Sequence, residues 1–275
     1  MITSLELLSA GTCYAPRRVV LPGSGRGRVA LPATFALLRH ERLGYLLFDT
    51  GFGDVVAEHR CTPWGRVYAA SSPYSISPEQ TAAAQLHARG IAAAEVTAIV
   101  ISHFHVDHVG GLTDFPTARF YAAAEAYDDV RDRRGLGSLR RAFLPATIPA
   151  DFEARAELFA TDRPLAEHPV VGPAHDLLGD GSLWATPLPG HARSQIGLYC
   201  ELPGRRILLA ADGAYLGANV TEGRPSSEVT RLFIDSWRAY RRTLARLTGL
   251  ARAGVEVVPS HCPAALSLTR AYRRG

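Results

Sequence analysis

Short apolar runs recur along the chain at residues 44–48, 96–101, 118–121, 196–202, 206–210 and 255–258, each bounded by polar or glycine-bearing text, and they predict strands. Two of them end directly in polar turns, FDTG and ISHFHVDHVGG, so strand ends present the residues with the most chemistry. Helices are predicted at 78–89, after a Ser-Pro-Glu start and before Gly90, and at 122–134, which is rich in Ala, Glu, Asp and Arg. A third is predicted over 228–253, where Phe233, Trp237, Tyr240, Leu244 and Leu247 recur at steps of four and three. That stripe predicts a core-facing side, with Trp237 and Tyr240 packed inside and Gly254 as the stop. Strands mixed with helices, without a regular β-α-β alternation, point to layered sheets with helices outside. Residues 16–32, 61–78 and 135–189 read as irregular, and no repeat or low-complexity linker divides the chain, so one domain over 1–275 is expected.

Composition narrows the function classes without choosing one. The chain has 275 residues, 47% hydrophobic and 20% charged, as a soluble globular protein has. It carries 30 basic residues against 26 acidic ones, and every basic side chain is Arg. These arginines are scattered, and the densest stretch, Arg238 to Arg246, reads as the solvated face of a helix, so no nucleic-acid partner is indicated. Cys13, Cys61, Cys200 and Cys262 form no C-x-x-C pair and are expected to be reduced and mostly buried. The first residues carry no basic leader, and no apolar run reaches membrane-spanning length, so a cytoplasmic protein without a membrane partner is expected.

The stretch SHFHVDHVGG, 102–111, changes the picture, because it sets three histidines and an aspartate within positions 103–108. Imidazoles this close escape mutual repulsion only when neutral or bound to a cation, and neutral imidazole and carboxylate are common zinc ligands. On a loop leaving a strand, His103 and His105 can converge on one ion while Asp107 and His108 turn toward another. His191 in PLPGHARSQ, Asp212 in LLAADGAY and His261 in VVPSHCP are further candidates, each at a turn beside an apolar segment. Such donors also accept iron, manganese or cobalt.

The H-x-H-x-D-H run followed by separated His, Asp and His resembles the metallo-β-lactamase superfamily, and FDTG resembles its early D-T-G turn, a match running from Asp49 to His261. The resemblance implies an α/β fold, an αββα sandwich of two mixed sheets flanked by helices, with two divalent metal ions at one edge between the sheets. It implies that His103, His105 and His191 hold one ion, that Asp107, His108 and His261 hold the other, and that Asp212 bridges them. Asp49 would orient a ligand by hydrogen bonding. Zinc is the first expectation. Two cations about 3.5–4 Å apart would activate a bridging hydroxide, polarise a carbonyl and stabilise the leaving group, with Asp107 relaying a proton.

Tyr215 stands three residues after Asp212, a D-x-x-Y spacing similar to that of the N-acyl-homoserine lactonases of this superfamily, whose phenol hydrogen-bonds the substrate carbonyl. The alternative for Tyr215 is a buried phenol bonded to backbone. A departure is Gln195, which replaces the second histidine of those lactonases' G-H-T-P-G-H. Zinc β-lactamases carry Cys where Asp212 stands, glyoxalase II-like thioesterases add a C-terminal helical domain, and the nucleases add modules or basic arms. A metal-dependent hydrolase of a small lactone or ester is therefore expected, with a thioester hydrolase, a phosphodiesterase or nuclease, and a non-catalytic metal-binding scaffold as alternatives. Trp64, Tyr68 and Tyr74 in 61–74 read as an aromatic wall for an acyl chain, a homodimer contact or ordinary packing, and 135–189 as a lid; Cys262 is not expected to be catalytic.

Overall fold

A computed structural model describes residues 1–163 and 165–272; Pro164, in the segment 135–189, and residues 273–275, at the end of the expected domain, lie outside the described residues. The first seven strands form one sheet: β1 (Ile2–Pro16), β2 (Arg28–His40), β3 (Gly44–Phe48), β4 (Tyr74–Ser75), β5 (Val96–Val100), β6 (Arg119–Ala123) and β7 (Ala156–Phe159), in the order β4-β1-β2-β3-β5-β6-β7. The second sheet has the order β13-β12-β11-β10-β9-β8, built from β8 (Ala166–His168), β9 (Gly172–Asp176), β10 (Trp184–Pro187), β11 (Ile196–Leu202), β12 (Arg205–Ala211) and β13 (Glu256–Pro259). Both are mixed: β3, β5, β6 and β7 are parallel neighbours, as are β12 and β13, and the other pairs are antiparallel. Two mixed sheets flanked by helices are the expected α/β architecture.

Alternation along β12 shows how the layers are held. Ile207 and Leu209 join the core shared with Phe35, Leu46 and Ile99 of the first sheet, whereas Leu208 and Ala210 pack outward with Leu244 and Leu247 of the helix Trp237–Arg252. Successive side chains point to opposite faces, so a strand covered on both sides must be apolar throughout. That is why 206–210 reads as an unbroken run. Full burial of Leu244 and Leu247 is worth about 1.5–3 kcal/mol each, an upper estimate.

The longest strands, β1 and β2, went unread in the sequence. Glu6 and Gly11 interrupt β1, and a register irregularity between Ser9 and Thr12 absorbs the break, while β2 is buried on both faces and shows no alternation. Residues 16–32 hold a helical turn, Arg17–Val20, before β2 begins. Segment 61–78 forms the helix Pro63–Ser71, and 135–189 contains four short strands. The helix expected over 78–89 is a tight turn, Pro78–Gln80, followed by Ala82–His87, which Thr81 caps; the one expected over 122–134 is confined to Ala124–Val130. Ser236 caps the long helix, which leaves Phe233 outside it and 71% exposed. Tyr240 is buried as expected, whereas Trp237 is only half-buried against it. Arg246 is no solvated side chain: it donates to the carbonyls of Pro187 and Val171, tying the helix to β10.

Strand direction assembles one edge. Because β3 and β5 are parallel, the turns after Phe48 and Val100 emerge together. Because β10 and β12 both run antiparallel to β11, and β12 is parallel to β13, the segments leading to His191, Asp212 and His261 emerge together from the other sheet.

Candidate metal centre

The histidine-rich turn is fixed from behind. His105 precedes the short helix Val106–Val109, the Val106 N–H donates to the carbonyl of Ala142 at 2.9 Å, and both the N–H and the hydroxyl of Thr50 donate to the carbonyl of His108. The two backbones approach so closely that a Cβ on Gly53 would lie 2.3 Å from the carbonyl oxygen of Gly110 and one on Gly110 would lie 2.8 Å from that of Gly51, which accounts for these two glycines. Asp49 adopts φ 59°, a strained conformation for a residue with a side chain. It turns its carboxylate inward, where Oδ1 accepts from the Ser102 N–H at 2.8 Å and Oδ2 accepts from the Ser102 hydroxyl and from Nδ1 of His108, both at 2.7 Å.

These contacts determine tautomers. The Ser102 hydroxyl spends its proton on Asp49, so it accepts from Nδ1 of His103 at 3.0 Å, and Nε2 of His103 keeps its lone pair. Nδ1–H of His108 donates to Asp49 and Nδ1–H of His261 donates to the carbonyl of Pro32 at 2.9 Å, so Nε2 is the atom each ring turns toward the cluster. Ser102 was not among the residues singled out in the sequence. A hydroxyl between a β-strand and H-x-H-x-D-H was the only signal it offered.

All seven candidate ligands meet. His103, His105, His191 and Asp212 form one group and Asp107, His108 and His261 another, with the donor atoms of each group within 4.8 Å of one another. Asp212 touches both: Oδ2 lies 3.1 Å from Nε2 of His191 and 3.1 Å from Nε2 of His261, and Oδ1 lies 3.3 Å from Nε2 of His108. An irregularity in the β12–β13 pairing and φ 45° at Ala211 aim this side chain across the gap. Nε2 of His261 is also 3.4 Å from Oδ2 of Asp107.

Burial, followed by the neighbouring imidazoles, holds His103 well below its ordinary pKa and brings His105 to about 3, and burial lowers His191 too. His108 and His261 move upward, because Asp212 and its fellow carboxylates outweigh burial. Burial alone would raise Asp107 and Asp212, but the surrounding imidazoles hold both down. Neutral imidazoles at His103, His105 and His191, with ionised carboxylates that favour a positive charge beside His108 and His261, are a donor set for a divalent cation, which would take the place of the protons on those two rings. The fit has a second sign: Nε2 of His103, Nε2 of His108 and Oδ1 of Asp212 are buried without a hydrogen bond, an arrangement costing about 1–3 kcal/mol per group unless a cation occupies the lone pairs.

The Tyr215 hydroxyl lies 3.2 Å from Nδ1 of His191, on the cluster and not on backbone. Burial, then the Asp212 charge, keeps its phenol protonated by pushing its pKa well up. Gln195 is buried and donates to the carbonyl of Leu188, outside the cluster. Tyr68 and Tyr74 pack with Phe52, Val56 and Leu144, so two of the three aromatics of 61–74 serve as interior packing, while Trp64 is 46% exposed. Cys262 accepts from the N–H of Gly217 at 3.3 Å. All four cysteines are free; Cys61 is exposed, contrary to the burial expected for most of them only in that one case and the half-buried Cys13.

A sequence model described as the metallo-beta-lactamase superfamily matches residues 30–261. The chain belongs to that superfamily. Within the superfamily it is 28% identical to N-acyl homoserine lactonase AttM of Azorhizobium caulinodans over 94% of this chain and 93% of that protein. It is 30% identical to the probable metallo-hydrolase Rv2300c of Mycobacterium tuberculosis, over 66% of this chain and 58% of that one. A solved N-acyl homoserine lactone hydrolase, with the product N-hexanoyl-L-homoserine at its catalytic metal centre, shares the fold at a TM-score of 0.75 and 17% identity, covering 96% of this chain and 95% of its own.

Proposed function

We propose that this protein is a dinuclear, metal-dependent hydrolase that opens an N-acyl-homoserine-type lactone or cleaves a related ester. The carrying observation is the Tyr215 phenol beside His191, where a substrate carbonyl would need a donor. Similarity to proteins named N-acyl homoserine lactonase over nearly the whole chain supports the same reading. We assign one ion to His103, His105 and His191, the other to Asp107, His108 and His261, and the bridge to Asp212. Zinc is the ion this donor set favours, with iron, manganese and cobalt as chemically acceptable substitutes. We also read residues 1–275 as one domain of a cytoplasmic protein; among the described residues no helix is long and apolar enough to cross a membrane.

When bound, the ions would supply an acidified water and a polarised carbonyl. With Nε2 of His191 committed to an ion, its Nδ1 carries the proton and donates to the Tyr215 oxygen, leaving the phenolic hydrogen for the substrate carbonyl. Asp107, ionised beside His261, would accept the proton released by the attacking water and hand it to the departing alkoxide. Asp49 and Ser102 hold His103 and His108 in the required tautomers.

Opening a lactone releases one proton per turnover, so zinc-loaded protein mixed with N-acyl-homoserine lactones of several chain lengths in weak indicator buffer is expected to acidify it. No acid from any chain length would remove the lactone reading.

A further inference from the structure

Beyond His105 and His191 the cleft opens into a cavity of about 310 Å³ whose wall includes both histidines. That is the lower end of the ~300–1,000 Å³ typical of small-molecule sites. Its lining is divided. Phe104 and Val130 are buried and supply an apolar floor, and Phe233 stands exposed at the rim. Four arginines and two aspartates supply its charged groups.

The arginines are not equivalent. Arg133 and Arg141 both pair with Asp129, and Arg141 also reaches Asp235 at 3.0 Å, so their charges are answered inside the protein. The guanidiniums of Arg140 and Arg193 have no carboxylate partner among the described residues, although both line the same cavity. Arg193 follows His191 by two residues, which ties one of these charges to the metal-facing turn.

We propose that the substrate of this centre carries an anionic group, a carboxylate at the far end of its acyl part, received by Arg140 and Arg193; the inference rests on the lactone or ester reading above. A neutral alkyl chain would satisfy the apolar floor but would crowd two guanidiniums without pairing them. A guanidinium presents a planar fork of donors that matches a carboxylate. The apolar residues that share this cavity with the histidines and the arginines suit the methylene stretch of an ω-carboxyacyl group. Because both arginines are exposed, the recognition is screened by salt.

The test compares two homoserine lactones of equal acyl length, one ending in a carboxylate and one in a methyl group, on zinc-loaded wild-type protein and on the double variant Arg140→Gln, Arg193→Gln. The expected kcat/KM ratio favours the carboxylate by about tenfold at low salt, and falls toward one in the variant and in molar salt. A ratio at or below one in wild type, or one that survives the double substitution, overturns the proposal. Calorimetry with octanedioate and octanoate needs no turnover: octanedioate is expected to bind about tenfold more tightly to wild type, with the difference lost in the variant. Equal affinities overturn the proposal, whereas a retained preference alongside two unreactive lactones removes the lactone reading and leaves the anion inference standing.

Discussion

The histidines are built in two ways around one shared carboxylate, and His103, 1% exposed and held by the Ser102 hydroxyl, is built like His108. His108 and His261 are fully enclosed, with side chains 0% and 4% exposed, and each is anchored by a buried acceptor, Asp49 at 2.7 Å and the carbonyl of Pro32 at 2.9 Å. His105 and His191 line the open cavity, and His191 is steadied by a phenol at 3.2 Å. Enclosure and strong acceptors fix ring orientation, whereas a cavity wall must stay open to substrate. The first arrangement suits tight retention of a cation and the second suits chemistry upon it.

Asp212 offers the largest break in this comparison, because it is the side chain that touches both groups. Asp212→Ala is expected to reduce metal content below one equivalent and to lower kcat/KM by about a thousandfold or more, since it removes charge and bridge together. Elemental analysis of the dialysed variant beside a lactone assay checks it; two retained equivalents would mean that the groups do not depend on their shared carboxylate.

A finer contrast pits Asp49 against Tyr215. Asp49→Asn places an amide where Nδ1–H of His108 needs an acceptor, so the enclosed group is expected to lose about 10- to 100-fold in metal affinity, read by competition with a chromophoric chelator. Tyr215→Phe is expected to keep both ions and lose roughly tenfold in kcat, the worth of one uncharged hydrogen bond. If metal affinity falls equally in both variants, the division into a retaining group and a reacting group is wrong.

How much of this could be read from the sequence follows from the kind of information each part carries. H-x-H-x-D-H and the three separated ligand candidates were legible because chemistry needs those residue types, and the structure gathers all seven. The strands around them were legible where turns punctuate them, as at 44–48 and 96–101. β2 was not, because burial on both faces erases alternation. Ser102 and the Arg140–Arg193 pair were missed for another reason: a serine or an arginine gains meaning only from what stands opposite it, and that depends on strands far apart in the chain. Arg246 failed in the reverse direction, reading as solvated while its guanidinium reaches the carbonyl of Pro187.

Asp114 sharpens the comparison from outside both groups. It follows the same turn, yet its Oδ2 is buried with no hydrogen-bond partner, whereas every oxygen of Asp49 is answered. Burial, then the nearby Asp54 carboxylate, raises its pKa from the ordinary 3.8 to about 6. Below about pH 4 the group is protonated in folded and unfolded chains alike and costs nothing. Between those values the unfolded chain ionises while the folded protein still holds its proton, so stability is lost as pH rises, and above about pH 6 the full penalty applies. Asp114→Asn removes that penalty without changing shape. Discounted for the partial exposure of the carboxyl, the variant is expected to gain about 1–2 kcal/mol near pH 8 and nothing near pH 4. Thermal melts at the two pH values decide it: a gain independent of pH would trace the effect to packing, and no gain at pH 8 would mean that water reaches this carboxylate as freely as donors reach Asp49.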